Sequence, residues 1–237
     1  MQRGMIVATL AIATLGGCTA DGGEDGAIFV LKNVSAGPGC VTTAAADELG
    51  ISHGSLDALL PRGYLFIAQT KSRLSAIAGT EDQRTILING ARVDVSFPGS
   101  TLFSATELAD LKARGLTHFR QLFTAPLSPN GGITDVGFEL IPASLVEAMS
   151  AKAGGPFAVE TVATFTIEGR QAGNDVQSQE FAYPVTIATG ISIVNRGVCP
   201  IQGTVRPGSA CNPTQDGIVD CCTEAGVLLC PGRAATQ

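Results

Sequence analysis

The sequence predicts a mainly β protein: an antiparallel β-sandwich with one or two short helices and a disulfide-rich C-terminal tail. Three observations point there. Apolar residues recur at every second position over several long stretches, the mark of strands with one dry and one wet face. Turn formers are frequent, with 29 Gly and 12 Pro among 237 residues, while charged residues are only 15%; this suits a turn-rich β domain better than a disordered chain. Five of the seven cysteines lie beyond residue 198. They sit among prolines, glycines and polar residues with little apolar periodicity, so bridges must stand in for a core there.

Residues 28–34 are rich in strand formers and open the sandwich. Residues 35–39 are a turn cluster leading to Cys40, and 41–54 read as loop with at most one helical turn. Residues 55–60 form a turn-like segment stopped by Pro61, and 64–69 a strand. Residues 84–97 are a stronger β stretch, where Val93, Val95 and Phe97 alternate with Asp94 and Ser96. Asn89-Gly90 inside it is either a hairpin turn or a bulge in one long strand.

Residues 104–115 read as a helix. Ser104 and Glu107 have capping-box spacing, Leu108 and Leu111 share a face, and Gly115 ends it. A strand over 117–124 follows, closed by turns over 126–132; Val136, Phe138 and Leu140 alternate in the next. Residues 142–152 form a second short helix, where Ser144 and Glu147 repeat the capping spacing. The clearest strands come last. Phe157, Val159, Thr161, Ala163, Phe165 and Ile167 fall on one face, 169–175 are turn-like, and Phe181, Tyr183, Val185 and Ile187 alternate again. They predict an antiparallel hairpin at the heart of the sandwich, with Pro184 at an edge or a bulge. About eight strands result, which favours a sandwich.

The first residues carry an address. Arg3 supplies a positive start and residues 5–15 an apolar run, too short for a spanning helix, which needs about 20 apolar residues. Leu15-Gly16-Gly17-Cys18 follows. This resembles the lipobox of bacterial lipoproteins, in which small residues admit a peptidase and the cysteine becomes the lipidated first residue. The resemblance implies a signal peptide over 1–17 and a diacylglycerol thioether on Cys18, with the lipid membrane as partner. Acyl chains contribute about 0.8 kcal/mol per buried CH₂, so several make a stable anchor. Thr19 stands where lipoproteins of this kind retained at the inner membrane often have aspartate, which implies the outer membrane of the cell envelope. Residues 18–26 (CTADGGEDG) read as a flexible acidic tether, 27–198 as the sandwich and 199–237 as the Cys-rich segment. The run Gln177-Ser178-Gln179-Glu180-Phe181-Ala182-Tyr183-Pro184-Val185, with the Cys-rich end, is similar to a group of uncharacterised myxobacterial lipoproteins. That likeness implies a β body and no activity.

An exported chain with six further cysteines, Cys40, Cys199, Cys211, Cys221, Cys222 and Cys230, reads as a disulfide framework. A bridge between the neighbours Cys221 and Cys222 would be strained. The five late cysteines leave one over, which points to Cys40 as its partner; the remaining pairing stays open. Zinc would want C-x₂-C spacing, which is absent. The stretch 212–220, with Asn212, Asp216 and Asp220, lacks the alternating acidic ligands of a calcium loop and reads as a turn.

No catalytic residue and no cofactor is assigned. There is no G-x-S-x-G elbow, H-E-x-x-H or phosphate loop. His53 falls in a loop and His118 starts a strand; Glu139, Glu160 and Glu168 lie on strands, where solvated faces explain them. With no Trp in the chain, a carbohydrate-stacking platform would have to use Tyr64, Tyr183 or Phe side chains. The formal charge of −6, one unit more negative once Arg3 is removed, argues against nucleic acid or an anionic surface as partner. The expectation is an envelope lipoprotein acting as a non-enzymatic binding or structural module, with an envelope protein as possible partner. An extracytoplasmic hydrolase or a metal-dependent module is the alternative.

Overall fold

A computed structural model describes residues 26–45, 47, 49–75 and 84–231. The expected signal peptide, Cys18 and the tether up to residue 25 lie outside the described residues. Two sheets face each other. The first has the order β2-β1-β4-β8, built from β1 (Ile28–Val34), β2 (Gly50–Ile51), β4 (Tyr64–Ser72) and β8 (Ile133–Ile141). Its pairings are antiparallel. The second has the order β3-β11-β9-β5-β6. Its strands are β3 (Gly54–Asp57), β5 (Ile86–Ser96), β6 (His118–Gln121), β9 (Ala158–Gln171) and β11 (Phe181–Ala188). Two short strands extend it: β7 (Ala125–Leu127) on β5 and β10 (Asn174–Gln177) on β9.

Alternation drives this layering. Val159, Thr161, Ala163, Phe165 and Ile167 of β9 are all buried, as are Tyr183, Val185 and Ile187 of β11. The sheets meet through aromatic rings. Phe66 of β4 packs edge-on against Phe165 (5.0 Å between centroids) and Tyr183 (4.8 Å), and Phe138 of β8 against Phe165 (5.2 Å). Such edge-to-face pairs suit the ring quadrupole and add to the area buried.

The helices are α1 (Ala105–Ala113) and α2 (Ala143–Ala153). Ser104 and Glu107 form the expected capping box. With Lys152 and Ser104 donating to it, the Glu107 carboxyl is held down to about 2. The second capping box does not form. Pro142 is the N-cap of α2, with no side-chain cap bond, because the helix starts one residue before Ser144. Burial of Leu145, Val146 and Met149 fixes α2 instead.

Several elements differ from expectation. Strands number fourteen among the described residues, not about eight, because short edge pieces carry little periodicity. Residues 55–57 of the expected turn-like segment belong to β3, which pairs in parallel with β11. Of the turn-like residues 169–175 only 172 and 173 turn: β9 runs to Gln171 and leads straight into β10, paired Asn174 to Gln171. Asn89-Gly90 is the bulge, since the register against β9 slips between Ile88 and Gly90. It also splits the outer partner of β5, with β7 pairing before it and β6 after it. Glycine is required there because a Cβ on Gly90 would strike the Gln121 carbonyl oxygen. Pro184 fits at a free flank, since β3 covers β11 only from Val185 onward.

The C-terminal region is disulfide-rich, as expected, and it is ordered into strands. It forms a third sheet, β12-β13-β14, from β12 (Ile193–Val198), β13 (Val219–Glu224) and β14 (Val227–Leu229). β12 lies before the expected boundary at 199, so the disulfide-linked unit begins earlier in sequence. It also has a small core of its own, Val219, Cys221 and Cys230 against Leu60, Ile193 and Leu228. Three disulfides hold it: Cys199–Cys222, Cys221–Cys230 and, across to the sandwich, Cys40–Cys211. No helix among the described residues is long and apolar enough to cross a membrane.

Candidate functional site

The densest polar chemistry lies where the C-terminal segment closes one end of the sandwich. Residues 214–216 run along β3 as an added edge. Asp57 N donates to Thr214 O (2.9 Å), Asp216 N donates to Ser55 O (3.0 Å), and Leu56 bridges Gln215. The Gln215 side chain then reaches the other sheet. Its Nε2 donates to Leu65 O (2.9 Å) and its Oε1 accepts from Leu65 N (2.9 Å). One side chain thus replaces a strand partner for β4 and couples both sheets at this end.

Asp57 closes the junction from the other side and is fully buried. Its Oδ1 accepts from Leu59 N (2.9 Å) and Gly190 N (3.0 Å), and its Oδ2 from Ser192 N (2.8 Å) and Ile193 N (2.9 Å). Four backbone donors around one carboxylate satisfy a buried charge and anchor the start of β12. The role is architectural, since no free valence faces solvent.

Behind the added edge sits a buried network of Tyr64, Tyr183, Asn33 and Asp216. Tyr64 OH donates to Asp216 Oδ2 (2.6 Å), so Tyr183 OH donates to Tyr64 Oη (3.1 Å). Asn33 Nδ2 donates to both phenols, at 3.1 and 2.9 Å, and Asn33 Oδ1 accepts from Ile67 N (3.0 Å). Asp216 Oδ1 accepts from Ser55 N (2.7 Å). Burial pushes the Tyr64 phenol far above its usual range, and the nearby Asp216 charge adds to this. Burial likewise raises Tyr183. The Asp216 carboxyl is also raised by burial, against the opposing bonds from Tyr64 and Ser55. At neutral pH both phenols are therefore neutral donors, poorly suited to general-base work. Gly54 is part of the design: a Cβ there would meet the Tyr64 ring at 2.7 Å.

His53, Thr186 and Glu160 cluster at the surface nearby, bringing a histidine, a hydroxyl and a carboxylate together. Thr186 Oγ1 donates to Glu160 Oε2 (2.7 Å), so its single proton is committed there and His53 Nε2 donates to the hydroxyl (2.7 Å). A nucleophile triad needs the reverse: a ring nitrogen accepting the hydroxyl proton, with the acid on the far ring nitrogen. Here acid and hydroxyl share one ring nitrogen, with Glu160 Oε1 3.6 Å from Nε2. The order of partners does not activate Thr186. His118 pairs Nδ1 with Asp94 Oδ1 (2.6 Å) on the exposed face of β5 and β6.

The glutamates are spread apart. Glu139 accepts from Ala143 N at the start of α2, Glu160 serves Thr186, and Glu168 serves two arginines. Glu160 and Glu168 share β9 eight residues apart, about 26 Å, far beyond the roughly 5–9.5 Å of a glycosidase pair. The oxygens of 212–220 also diverge. Asn212 Oδ1 caps Thr214, Asp216 faces Tyr64, and Asp220 takes a fork from Arg206. Among the described residues, no group of three or more His, Cys, Asp or Glu side chains gathers as a metal site. Tyr64 and Tyr183 cannot form a stacking platform, as they are 0% and 2% exposed.

Sequence reasoning did not find the junction network. Its members are separated by up to 150 residues or more in the chain, so no local spacing marks them. The one usable signal was that both tyrosines of the chain fall on inward strand positions, where a phenol needs a polar partner. No family model matches the sequence, and no curated protein matches it. A crystal structure of a protein from Archaeoglobus fulgidus aligns over 58% of this chain and 94% of its own, at 10% identity and a TM-score of 0.34. A likeness that slight carries no argument about fold or function.

Proposed function

We propose that the protein is a lipid-anchored lipoprotein of the bacterial envelope, held at the outer membrane through Cys18, whose β body acts as a non-enzymatic binding or structural module with an envelope protein as partner. The observation that carries this reading is Leu15-Gly16-Gly17-Cys18 after a short apolar run. Three disulfides support it, since such bonds persist in oxidising compartments. The hydrogen-bond order at His53 and the architectural use of Asp57 and Asp216 favour a module over a hydrolase.

Metabolic labelling with a palmitate analogue tests the anchor. Wild-type protein should carry the label and fractionate with outer membranes, and Cys18→Ser should lose the label. An unlabelled wild type would end this reading. In-cell cross-linking before mild detergent extraction tests the partner, with one reproducible envelope protein as the expected product and its absence counting against an interaction role.

A further inference from the structure

A second polar site lies on the outer face of the seven-stranded sheet, away from the junction. Arg92 of β5 and Arg120 of β6 stand directly opposite one another in register. Cross-strand neighbours have Cβ atoms about 5 Å apart, and like charges placed so destabilise the pairing unless an anion lies between them. Glu168 of β9 supplies one. Its Oε1 accepts from Arg92 Nη2 (2.7 Å) and its Oε2 from Arg120 Nε (2.6 Å). The Glu168 side chain is only 16% exposed, while the arginines are half exposed.

One carboxylate between two guanidiniums leaves one positive charge over. The other acid at hand, Asp175, is already taken by Arg170 (2.9 Å). Each guanidinium has five N–H donors. Beyond Glu168 and a long contact from Arg120 Nη2 to Asn89 Oδ1 (3.4 Å), no bond from the two arginines to another described residue uses the rest. Both border a cleft of about 510 Å³, with Asn89 and Gln177 on its walls. The cleft lies beside the β5 bulge, with Asn89 and Gly169 in its lining; Gly169 is an inward position of β9, where a Cβ would press on Ile86 and Leu87 at 3.0 Å. A local cationic hollow with spare fork donors, on a chain of net charge −6, is a built feature rather than a consequence of composition.

We propose that this cleft binds a phosphate-type oxyanion, with Arg92 and Arg120 as paired fork donors and Glu168 as the positioning residue that holds them side by side. Planar guanidinium forks match phosphate oxygens bidentately, which lysine does not. The phosphate can come free or as part of a lipid headgroup. The second source has a geometric basis. Gly26 N donates to Gln177 O (3.1 Å), so the chain enters the fold beside the cleft. Residues 18–26 span at most about 30 Å. With Cys18 lipidated, as the proposed anchor has it, the cleft stays within tether reach of headgroup phosphates.

The test is a titration of the purified full chain at low salt with inorganic phosphate and, separately, with glycerol 1-phosphate, followed by ³¹P line width and the side-chain Nε–H signals of Arg92 and Arg120. Saturable binding that perturbs both arginine signals is expected. Arg92→Lys/Arg120→Lys keeps the charges and the ion pairs to Glu168 but removes the forks, and should weaken binding at least about tenfold; Arg114→Ala, on α1, should leave it unchanged. Tighter binding of glycerol 1-phosphate than of phosphate assigns the headgroup source, and equal or weaker binding assigns free phosphate. No saturable binding by the wild type, or undiminished binding by the double lysine variant, overturns the site. Because both probes are soluble, these outcomes do not depend on lipidation, and loss of the palmitate label would leave them intact.

Discussion

Among the described residues the buried polar side-chain atoms are nearly all paired, and two of the three exceptions are informative. Gln69 Oε1 and Asp135 Oδ1 are buried acceptors with no donor among the described residues. The two residues are register partners on β4 and β8, and the loop after Cys40 covers them: Gln69 Nε2 donates to Ala45 O (2.9 Å) and Asp135 Oδ2 accepts from Ala44 N (2.9 Å). Two acceptors side by side without a proton between them waste bonding capacity. Asp135→Asn places an N–H donor there while keeping an oxygen for Ala44. It should stabilise the fold by about 1 kcal/mol, a rise of about 2–4 °C in Tm for a chain of this size. A fall in Tm on thermal unfolding would show that the two oxygens are served in another way.

At the scale of elements, the third sheet depends on Asp220 as well as on its disulfides. The Asp220 side chain is 1% exposed and takes Arg206 as a fork, with Nη2 at 2.6 Å and Nε at 3.1 Å, plus the Arg206 backbone N–H at 2.9 Å. The Arg206 guanidinium holds the carboxyl down to about 2, from an ordinary value of 3.8. A depressed carboxyl stabilises the fold above its unfolded value, and that contribution is lost as pH falls from about 4 through about 2. Carboxyl NMR titration should therefore give a midpoint near 2 for Asp220, moving back toward the ordinary range in Arg206→Ala. A wild-type midpoint near 4 would show that the fork does not form in solution. Asp216 has the opposite sign. Its carboxyl is raised by burial, so its share of stability is fully present below the unfolded value and is lost as pH rises through its folded value.

For the whole molecule, the decisive link is between the ends of the fold. Cys40–Cys211 joins residues 171 apart, and the added edge 214–216 and the Gln215 side chain dock beside it. Closing so long a loop stabilises by about 5 kcal/mol in the chain-entropy model. Cys40→Ala/Cys211→Ala should lose most of that in denaturant unfolding. Removing Cys199–Cys222, whose partners are 23 apart in sequence, should cost less, since a shorter loop releases less entropy to the unfolded chain. Equal losses would mean that native packing, not loop closure, sets the contribution of these bridges.

Local pattern and covalent chemistry were legible in the sequence. The alternating runs of β9 and β11, the Ser104–Glu107 capping box, the bulge as one of two readings at Asn89-Gly90, and the use of Cys40 by the late cysteines each depend on neighbours in sequence or on counting. Short strands such as β3, β7 and β10 were not legible, because a few residues beside a turn carry too little periodicity to stand out. The candidate sites were hidden for a related reason. Tyr64, Tyr183, Asn33 and Asp216 meet only when the C-terminal segment is laid along β3, and Arg92, Arg120 and Glu168 meet only once three strands are in register. Which faces are dry, where the first helix is capped and that the late cysteines form bridges were all written in local sequence. Which polar groups face one another was settled by strand order and register, which bring together residues that no spacing along the chain relates.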